Sequence, residues 1–358
     1  MIKILERYIT KTIIYATALT GLIILGVLFL LTLLNELRSI GEGDYGFSQA
    51  VIYVLMRMPS AVYQFAPMLI LLGSMAGLSM LTTYREIAVM RVSGFSVRRI
   101  IYSTLSAALL LTVAIGFVGE WVAPKLNYTA EINKENDKNA GQAVVTSAGN
   151  IWLHVDNNFI HVEHVVGRQL LEDVTRYEFN DNHQLQATYY AKSLTYQNNK
   201  WMMNDVVKTT FYHDRTTSQA MPQSDWNLKL NMNLLNIGLM EPNEMSLPRL
   251  AKFARYLEQN GLQASEYRYE FWQRVFQPLA SLIMIFLAIP FVLGTLSSTT
   301  LGFRMVIGIM VGFAFFISNA LLGEICIVYQ VPAALAALLP LVAFAMIGII
   351  LSKKLIKQ

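Results

Sequence analysis

The stretch TIIYATALTGLIILGVLFLLTLL, residues 12–34, decides the class of this protein because it holds 23 residues without a charge. An α-helix rises about 1.5 Å per residue, so a helix of this length crosses the ~30 Å hydrocarbon core of a bilayer. Residues 331–352 form a second uncharged stretch, near the other end of the chain. The sequence therefore predicts a membrane protein with spans at both ends.

Four further segments meet the same criterion, which gives six predicted spans, three on each side of a polar insert. In chain order the six are 12–34, 61–83, 100–119, 275–301, 305–323 and 331–352. The charged fraction of 15% agrees with this count, since an ordinary soluble domain carries about 25% charged residues. The first span is predicted to be a retained helix, because its apolar run exceeds the usual length of a cleaved signal.

Lys and Arg in the short loops predict the orientation of the spans. Basic residues precede the first span, follow the second and follow the last, whereas the loop after the first span is acidic apart from Arg38. Both termini are therefore predicted to be cytoplasmic and the insert to face outward. The net charge of +4 then reflects topology, and a nucleic-acid-binding face is not indicated.

Within the insert, aromatic and β-branched runs alternate with Asn and Asp turns from residue 150 to residue 231. Strands at this close spacing predict an all-β sandwich or jelly roll. The predicted domains are residues 1–123 with three spans, 124–265 with the β domain, and 266–358 with three more spans. A helix is expected at residues 246–260, where Ser246 caps the start and Pro248 lies in the first turn.

Motifs for catalysis are not found: the chain has no G-x-S-x-G, no H-E-x-x-H and no P-loop. His161 and His164 have opposite parity on one predicted strand, so no metal site is predicted there. Cys326 is the single cysteine, which excludes an intrachain disulfide. We expect no catalytic residue, cofactor or metal, and any ATP that drives the protein is hydrolysed by another subunit.

The loop after the second span predicts a short cytoplasmic helix over residues 84–92. Thr83 and Glu86 fit a capping box, and Ser93 with Gly94 supplies the end. Four apolar residues, Ile87, Val89, Met90 and Val92, are more than a solvated connector needs. Two interpretations stay open at this point: the helix lies on lipid headgroups, or it fits a groove on a cytoplasmic partner.

Glycine pairs with G-x-x-x-G spacing occur in two spans, at Gly73 with Gly77 and at Gly308 with Gly312. Such pairs let helices approach closely. Packing within the chain and packing against a second membrane subunit both remain open. Ionisable residues lie near span ends only, which disfavours an ion-coupled carrier.

Six motifs in fixed order resemble those of a known family. They are LERYI at residues 5–9, REIAVM at 85–90, SGF at 93–95, GEWVAP at 119–124, NFIHVE at 158–163 and WQRVFQPL at 272–279. The chain resembles the LptF/LptG family, the permease subunits of the lipopolysaccharide export ABC transporter of Gram-negative bacteria. The resemblance covers essentially the whole chain.

The resemblance implies a function and a set of partners. Family members extract lipopolysaccharide from the inner membrane and pass it to the periplasmic bridge, driven by ATP hydrolysis in a partner. The implied partners are an LptF-like permease subunit, an LptB-like ATPase dimer and an LptC-like bitopic protein. The implied location is the bacterial inner membrane, multi-pass, with the β domain in the periplasm. The alternative from another class is a membrane-anchored periplasmic enzyme or envelope assembly factor.

The resemblance also assigns roles to residues. The helix at 84–92 becomes the coupling helix, with Glu86, Ile87, Val89, Met90, Arg91 and Gly94 as ATPase coupling residues. Lipopolysaccharide contacts are expected at Arg38, Lys134 and Arg274, and a subunit interface at Gly308 and Gly312. Family members carry a basic cluster at the outer end of the first span, whereas here Arg38 stands there alone.

Overall fold

The computed structural model describes most of the chain as a helical membrane bundle with an inserted β-sheet. The described residues are 2–138, 145–146, 151–155, 158–166, 170–180, 184–197, 200–212, 214–226, 242–259, 263–295 and 299–356. The helices are α1 Ile2–Glu36, α2 Phe47–Gln64, α3 Ala66–Thr83, α4 Glu86–Val92, α5 Val97–Phe117, α6 Ala123–Lys138, α7 Leu247–Gln259, α8 Ser265–Pro290, α9 Leu301–Tyr329 and α10 Ala333–Ile356. Short 3₁₀ turns lie at Leu37–Ser39 and Pro242–Glu244, and π-helical turns at Val118–Val122 and Phe291–Thr295.

Among the described residues, six helical segments are long and apolar enough to cross a bilayer, which confirms the predicted fold class. Two ends differ from the sequence prediction. The fourth span leaves regular α-helix at Pro290 rather than running to residue 301, and the predicted second span contains a break at Phe65. The helix expected at 246–260 is observed as α7, and residue 260 lies outside the described residues.

The break at Phe65 follows from Pro67, which lies in the first turn of α3. Proline has no N–H, so it cannot donate to the carbonyl of Tyr63 four residues earlier. That carbonyl instead accepts a hydrogen bond from the Gln277 side chain of α8. The interrupted helix is therefore held by a polar contact from another span.

The bundle is built around α3, which packs against α1, α8 and α9 and is buried along most of its length. Gly73 is the point of closest approach to α1, because a Cβ there would lie 2.3 Å from the Cα of Thr17. In contrast, most of α1 and α9 has an outer face that no described residue covers. We call the end of the bundle with residues 37–46 and the β domain the domain end, and the opposite end the terminal end.

The β domain consists of one antiparallel sheet. Its strands are β1 Val145–Thr146, β2 Ile151–Val155, β3 Asn158–Val166, β4 Leu170–Phe179, β5 Leu185–Gln197, β6 Lys200–Phe211 and β7 Thr216–Trp226. Their order is β1-β3-β4-β5-β6-β7, and β2 shares the edge of β3 with β1. The predicted all-β character is confirmed, and among the described strands the connections are those of a meander within a single sheet.

A row of five residues crosses this sheet and interrupts its regular pattern. The row, which we call the crease, consists of Glu163, Asp173, Lys192, Asp205 and Pro222; none of them is paired, although their neighbours on both sides are. Asp173 and Asp205 both have a φ of 51°, a left-handed conformation that Asp tolerates better than most residues.

The crease changes which residues of a strand face the core. Strict alternation would place residues three apart on opposite faces. Across the crease, however, both members of each such pair are buried in one cluster: Leu171 with Val174, Ala191 with Leu194, and Met203 with Val206. The apolar face of the sheet therefore continues without a break from one side of the crease to the other.

Candidate functional site

The helix α4 at the terminal end is the first candidate site, and its start differs from the prediction. Thr83 is still part of α3, so the predicted capping box is wrong. The chain turns at Arg85, which has a φ of 58°, and α4 begins at Glu86 without a side-chain cap. The predicted end is confirmed: α4 stops at Val92, and Gly94 has a φ of 87°.

The two faces of α4 have different environments. Ile87 and Met90 are each 6% exposed and join the core cluster of the bundle. On the other face Val89 is 65% and Val92 90% exposed, beside the exposed Arg91. This corrects the expectation that Ile87 and Met90 contact a partner, because both side chains point into the bundle. The outward surface of α4 consists of Ala88, Val89, Arg91 and Val92.

Arginines around α4 form no salt bridge with any residue that the structure describes. Four arginines at this end, Arg85, Arg91, Arg98 and Arg99, are exposed, and the part of the chain that the structure describes contains no salt bridge to any of them. Glu86 is half-buried and interacts with the hydroxyl group of Tyr8 on α1. The terminal end therefore presents a basic surface with two apolar valines at its centre.

A second cluster, at the domain end, forms around Arg274, which is only 5% exposed. Its Nη1 lies 3.1 Å from Oε1 of Glu120, and its Nη2 donates to the backbone carbonyl of Asn243 at 2.7 Å. The guanidinium group also lies over the ring of Tyr63, 4.9 Å from its centre. The other oxygen of Glu120 accepts from the N–H of Leu247 at 3.0 Å.

This cluster corrects two predictions. Arg274 was expected to contact lipopolysaccharide, but its guanidinium group is buried and engaged inside the protein. The start of α7 was expected to be capped by Ser246, whereas the carboxylate of Glu120 accepts from the first N–H of that helix. Arg274 and Glu120 thus join α2, α7, α8 and the π-helical turn that follows α5.

Two of the three lysines of α6, Lys134 and Lys138, are also paired at the domain end. Nζ of Lys134 lies 2.6 Å from Oε1 of Glu36 and over the ring of Tyr53. Nζ of Lys138 lies 2.8 Å from Oε2 of Glu42, and hydrogen bonding to Lys138 lowers the pKa of that carboxyl group. The charge of Lys134 is therefore neutralised within the chain, and its predicted contact with lipopolysaccharide stays a prediction.

Arg38 differs from these lysines. It is exposed at the end of α1 and, among the residues that the structure describes, makes no salt bridge. Arg57 of α2, by contrast, forms an ion pair with Glu244 and donates to the hydroxyl group of Tyr53. Of the basic side chains expected to meet a lipid headgroup, Arg38 keeps an accessible charge.

The glycine pair of α9 faces α3 of the same chain. A Cβ on Gly308 would lie 2.8 Å from side-chain atoms of Leu72 and Met75, and one on Gly312 would lie 2.7 Å from Met68. This corrects the expectation of a subunit interface at these glycines. The outer face of α9 is formed instead by large apolar residues, among them Val306, Met310, Phe313, Ile317 and Leu321.

Six apolar helices among the described residues, an inserted β-sheet at one end and an exposed helix at the other define a polytopic membrane protein. The family described as "Lipopolysaccharide export system permease LptF/LptG" matches residues 7–354. The chain is 31% identical over 350 residues to "Lipopolysaccharide export system permease protein LptG" of Escherichia coli strain K12, with 97% of both chains covered. It is 30% identical over 357 residues to the LptG protein of Haemophilus influenzae, with 99% of both chains covered.

The chain therefore belongs to the LptF/LptG family of lipopolysaccharide export permeases. Members of this family are permease components of an export system and are not themselves catalytic. With six apolar helices, this chain is a multi-pass inner-membrane protein. The family description favours the transporter over the anchored periplasmic enzyme considered from the sequence.

Proposed function

We propose that this chain is the transmembrane subunit that extracts lipopolysaccharide from the inner membrane and passes it to the periplasmic bridge toward the outer membrane. ATP is hydrolysed by a separate, LptB-like ATPase dimer that docks at the terminal end. In this proposal both termini are cytoplasmic and the β domain is periplasmic. The observation that carries it is the outward surface of α4, where Val92 is 90% exposed among exposed arginines.

The environment of α4 suits a helix that binds the ATPase and transmits its movement to the membrane helices. Val89, Arg91 and the half-buried Glu86 supply the contact with the ATPase, and Gly94 supplies the turn after the helix. Ile87 and Met90 anchor the inner face in the same core cluster as residues of α1, α3, α5 and α8. A displacement of α4 by the ATPase would therefore also displace the membrane helices, because packed cores resist local deformation.

Partner subunits are proposed from the uncovered helix faces. The outer surfaces of α1 and α9 carry large exposed apolar side chains, and both helices pack on α3 from different sides. An LptF-like subunit facing α1 and α9 would enclose a cavity with this chain, and an LptC-like bitopic protein would add a helix at its edge. Gly308 and Gly312 support that interface indirectly, by holding α9 close to α3.

The cargo contacts are proposed at the domain end. Arg38 has the accessible charge that an anionic headgroup requires, and the apolar face of the β-sheet offers shelter for acyl chains. Each acyl CH₂ exposed to water costs about 0.8 kcal/mol. A lipid with many chains therefore needs both external work and a sheltered route, which an ATPase and a β domain supply together.

Charge introduced on the outward surface of α4 tests this proposal. The variant Val89→Asp/Val92→Asp places two carboxylates where an apolar contact is proposed, and burying unpaired charge is costly. We expect the affinity of the ATPase for the membrane subunits to fall more than about tenfold, which corresponds to at least about 1.4 kcal/mol. Release of lipopolysaccharide from proteoliposomes should fall with it.

Ser96→Asp is the matched control. Ser96 is exposed at the same end, immediately before α5, where Asp is a favourable helix-capping residue. This variant should bind the ATPase and export lipopolysaccharide like the wild type. Normal ATPase binding by the double variant would refute docking at α4, and normal export without any ATPase would refute the proposed function.

A further inference from the structure

A cavity of about 340 Å³ lies at the domain end, where α8 begins and α9 ends. Glu270 lies in the second turn of α8 and Glu324 in the second turn from the end of α9, so both are within about 11 Å of the helix ends. Glu266, one turn before Glu270, supplies a third carboxylate. The described lining contains no Lys, Arg or His, and Arg274, one turn beyond Glu270, is engaged with Glu120. The cavity is therefore acidic and contains no basic group of its own.

The amide groups in the wall of this cavity offer hydrogen-bond acceptors, because their donors are already used. Asn319 of α9 is only 7% exposed, and its Nδ2 donates to the carbonyl of Phe315 at 3.1 Å. The side-chain nitrogen of Gln277 donates to the carbonyl of Tyr63. Among the described residues, no donor reaches Oδ1 of Asn319 or Oε1 of Gln277. Since a buried carbonyl oxygen without a donor is unfavourable, a ligand that donates hydrogen bonds fits this cavity.

The lining favours an organic ammonium group over a metal ion. Within the described chain, no three carboxylate, His or Cys groups lie close enough together to hold a metal ion, which requires several converging oxygen ligands. The rings of Phe65 and Phe316 stack with their centres 5.3 Å apart and form part of the wall, and aromatic rings attract organic ammonium groups. A water molecule occupies about 30 Å³, so the cavity has room for a group of several heavy atoms.

The cavity borders the side of the bundle that is proposed to hold the cargo. Gln64 and Phe65 line it and also line a neighbouring depression, whose other wall includes Leu28 and Thr32 of α1. Leu321, which is exposed on the outer face of α9, lies at the cavity as well. The cavity is therefore reached from the space between α1 and α9.

We infer that this cavity binds a primary ammonium group on the headgroup of the transported lipopolysaccharide, an inference that rests on the proposed function. A primary ammonium group donates N–H to the acceptors of Asn319 and Gln277 and is attracted by the carboxylates of Glu270 and Glu324. Arg38, with its accessible charge, would then meet the anionic groups of the same headgroup. The domain end would thus recognise both signs of charge on one cargo.

Removal of the positive charge from the cargo tests this inference. The probe is lipopolysaccharide whose phosphates carry an amino sugar, and the matched ligand is the same material after N-acetylation. The complex that contains the full-length chain is placed in nanodiscs of phosphatidylglycerol, and its affinity for each ligand is measured without nucleotide. Glu270→Gln/Glu324→Gln removes two charges from the cavity with little change in shape. Asp44→Asn/Asp214→Asn is the matched control, because both residues are exposed and neither lines the cavity.

We expect the wild type and the control variant to bind the aminated ligand at least about tenfold more tightly than the acetylated one, since hydrogen bonds to charged groups contribute this much. The cavity variant should bind both ligands with the wild-type affinity for the acetylated one, which also shows that it is folded. Equal binding of the two ligands by the wild type would overturn the inference, as would a preference that survives in the cavity variant.

A second arm distinguishes the cargo from a membrane phospholipid that carries the same group. Phosphatidylethanolamine added to the nanodiscs should leave the preference for the aminated ligand in place. Loss of the preference would assign the cavity to the phospholipid amine and overturn the inference. Failure of both lipopolysaccharide preparations to bind would contradict the proposed function itself, and this result differs from equal binding of the two.

Discussion

The two ends of the helical bundle differ in whether their basic residues form salt bridges within the chain. At the domain end, salt bridges join elements that are distant in sequence: Arg274 with Glu120, Lys134 with Glu36, and Arg57 with Glu244. At the terminal end, four exposed arginines form no salt bridge within the described part of the chain. Apart from the exposed Arg38, the basic residues described above at the domain end are neutralised within the chain, whereas the arginines at the terminal end stay accessible.

Removal of Arg274 should have the largest effect on the domain end. Arg274→Ala leaves the carboxylate of Glu120 partly buried without its cation, and loss of one partner from a buried ion pair typically costs about 3–5 kcal/mol. The free energy of unfolding, measured by denaturant titration in mixed micelles, should fall by about that amount. Arg98→Ala at the terminal end, where Arg98 is exposed, should change it by less than about 0.5 kcal/mol. Equal losses in the two variants would remove the contrast between the ends.

A methyl group at Gly119 should perturb the same cluster by a smaller amount. A Cβ at this position would lie 2.0 Å from the ring of Tyr63, on which the guanidinium group of Arg274 rests. Overpacking of this kind costs about 1–3 kcal/mol, so the thermal midpoint of Gly119→Ala should fall. Gly116→Ala, one helical turn earlier and with open space around it, should be as stable as the wild type or slightly more so, because Ala favours helix over Gly. A stable Gly119→Ala variant would show that Tyr63 is free to move.

Charge removal at α4 should separate stability from partner binding. Arg91→Ala should leave the free energy of unfolding within about 0.5 kcal/mol of the wild-type value, because Arg91 is exposed and forms no salt bridge with a described residue. The affinity of the Arg91→Ala variant for the ATPase, measured as binding of the soluble ATPase to the reconstituted membrane subunits, should nevertheless fall severalfold. A large loss of stability would mean that Arg91 supports the bundle itself.

The smallest effect concerns pH and the exposed pair of Glu42 with Lys138. This pair lowers the pKa of Glu42 from its ordinary value of 4.5. A group with a depressed folded-state pKa contributes its stability above the unfolded pKa and loses it as the pH falls through the folded pKa. In Lys138→Ala the pKa of Glu42, followed by carbon-13 NMR of labelled glutamate, should rise toward 4.5. An unchanged pKa would show that the pair is not formed in solution.

The sequence predicts the local features of this molecule well. Six uncharged stretches of membrane length give the number of spans, and short aromatic runs between Asn and Asp turns give the β insert, because both signals are contained in adjacent residues. The end of α4 at Gly94 is predicted for the same reason. The start of α4 is missed, because Thr83 remains in α3 and the turn occurs at Arg85, a residue type without a turn preference.

Contacts between distant elements are not predictable from one sequence. Arg274 and Glu120 are 154 residues apart, and both lie near span ends, where a solvated charge is the usual case. Only the fold brings them together and buries them. The glycines of α9 illustrate the same limit, since G-x-x-x-G spacing predicts a close approach, but the rotation of the helix decides that the neighbour is Met68 of the same chain.

The crease of the β domain restricts which insertions and deletions this domain can accept during evolution. Its five residues lie directly opposite one another across neighbouring strands, and β4, β5 and β6 shift their core-facing positions at that row. A one-residue deletion or insertion between the crease and the end of a single strand would move that strand's apolar residues to the solvent-exposed face of the sheet. The neighbouring strands would keep their apolar residues on the core face. Changes in strand length are therefore tolerated only when several strands change together, so natural length variation in this domain should concentrate in its turns.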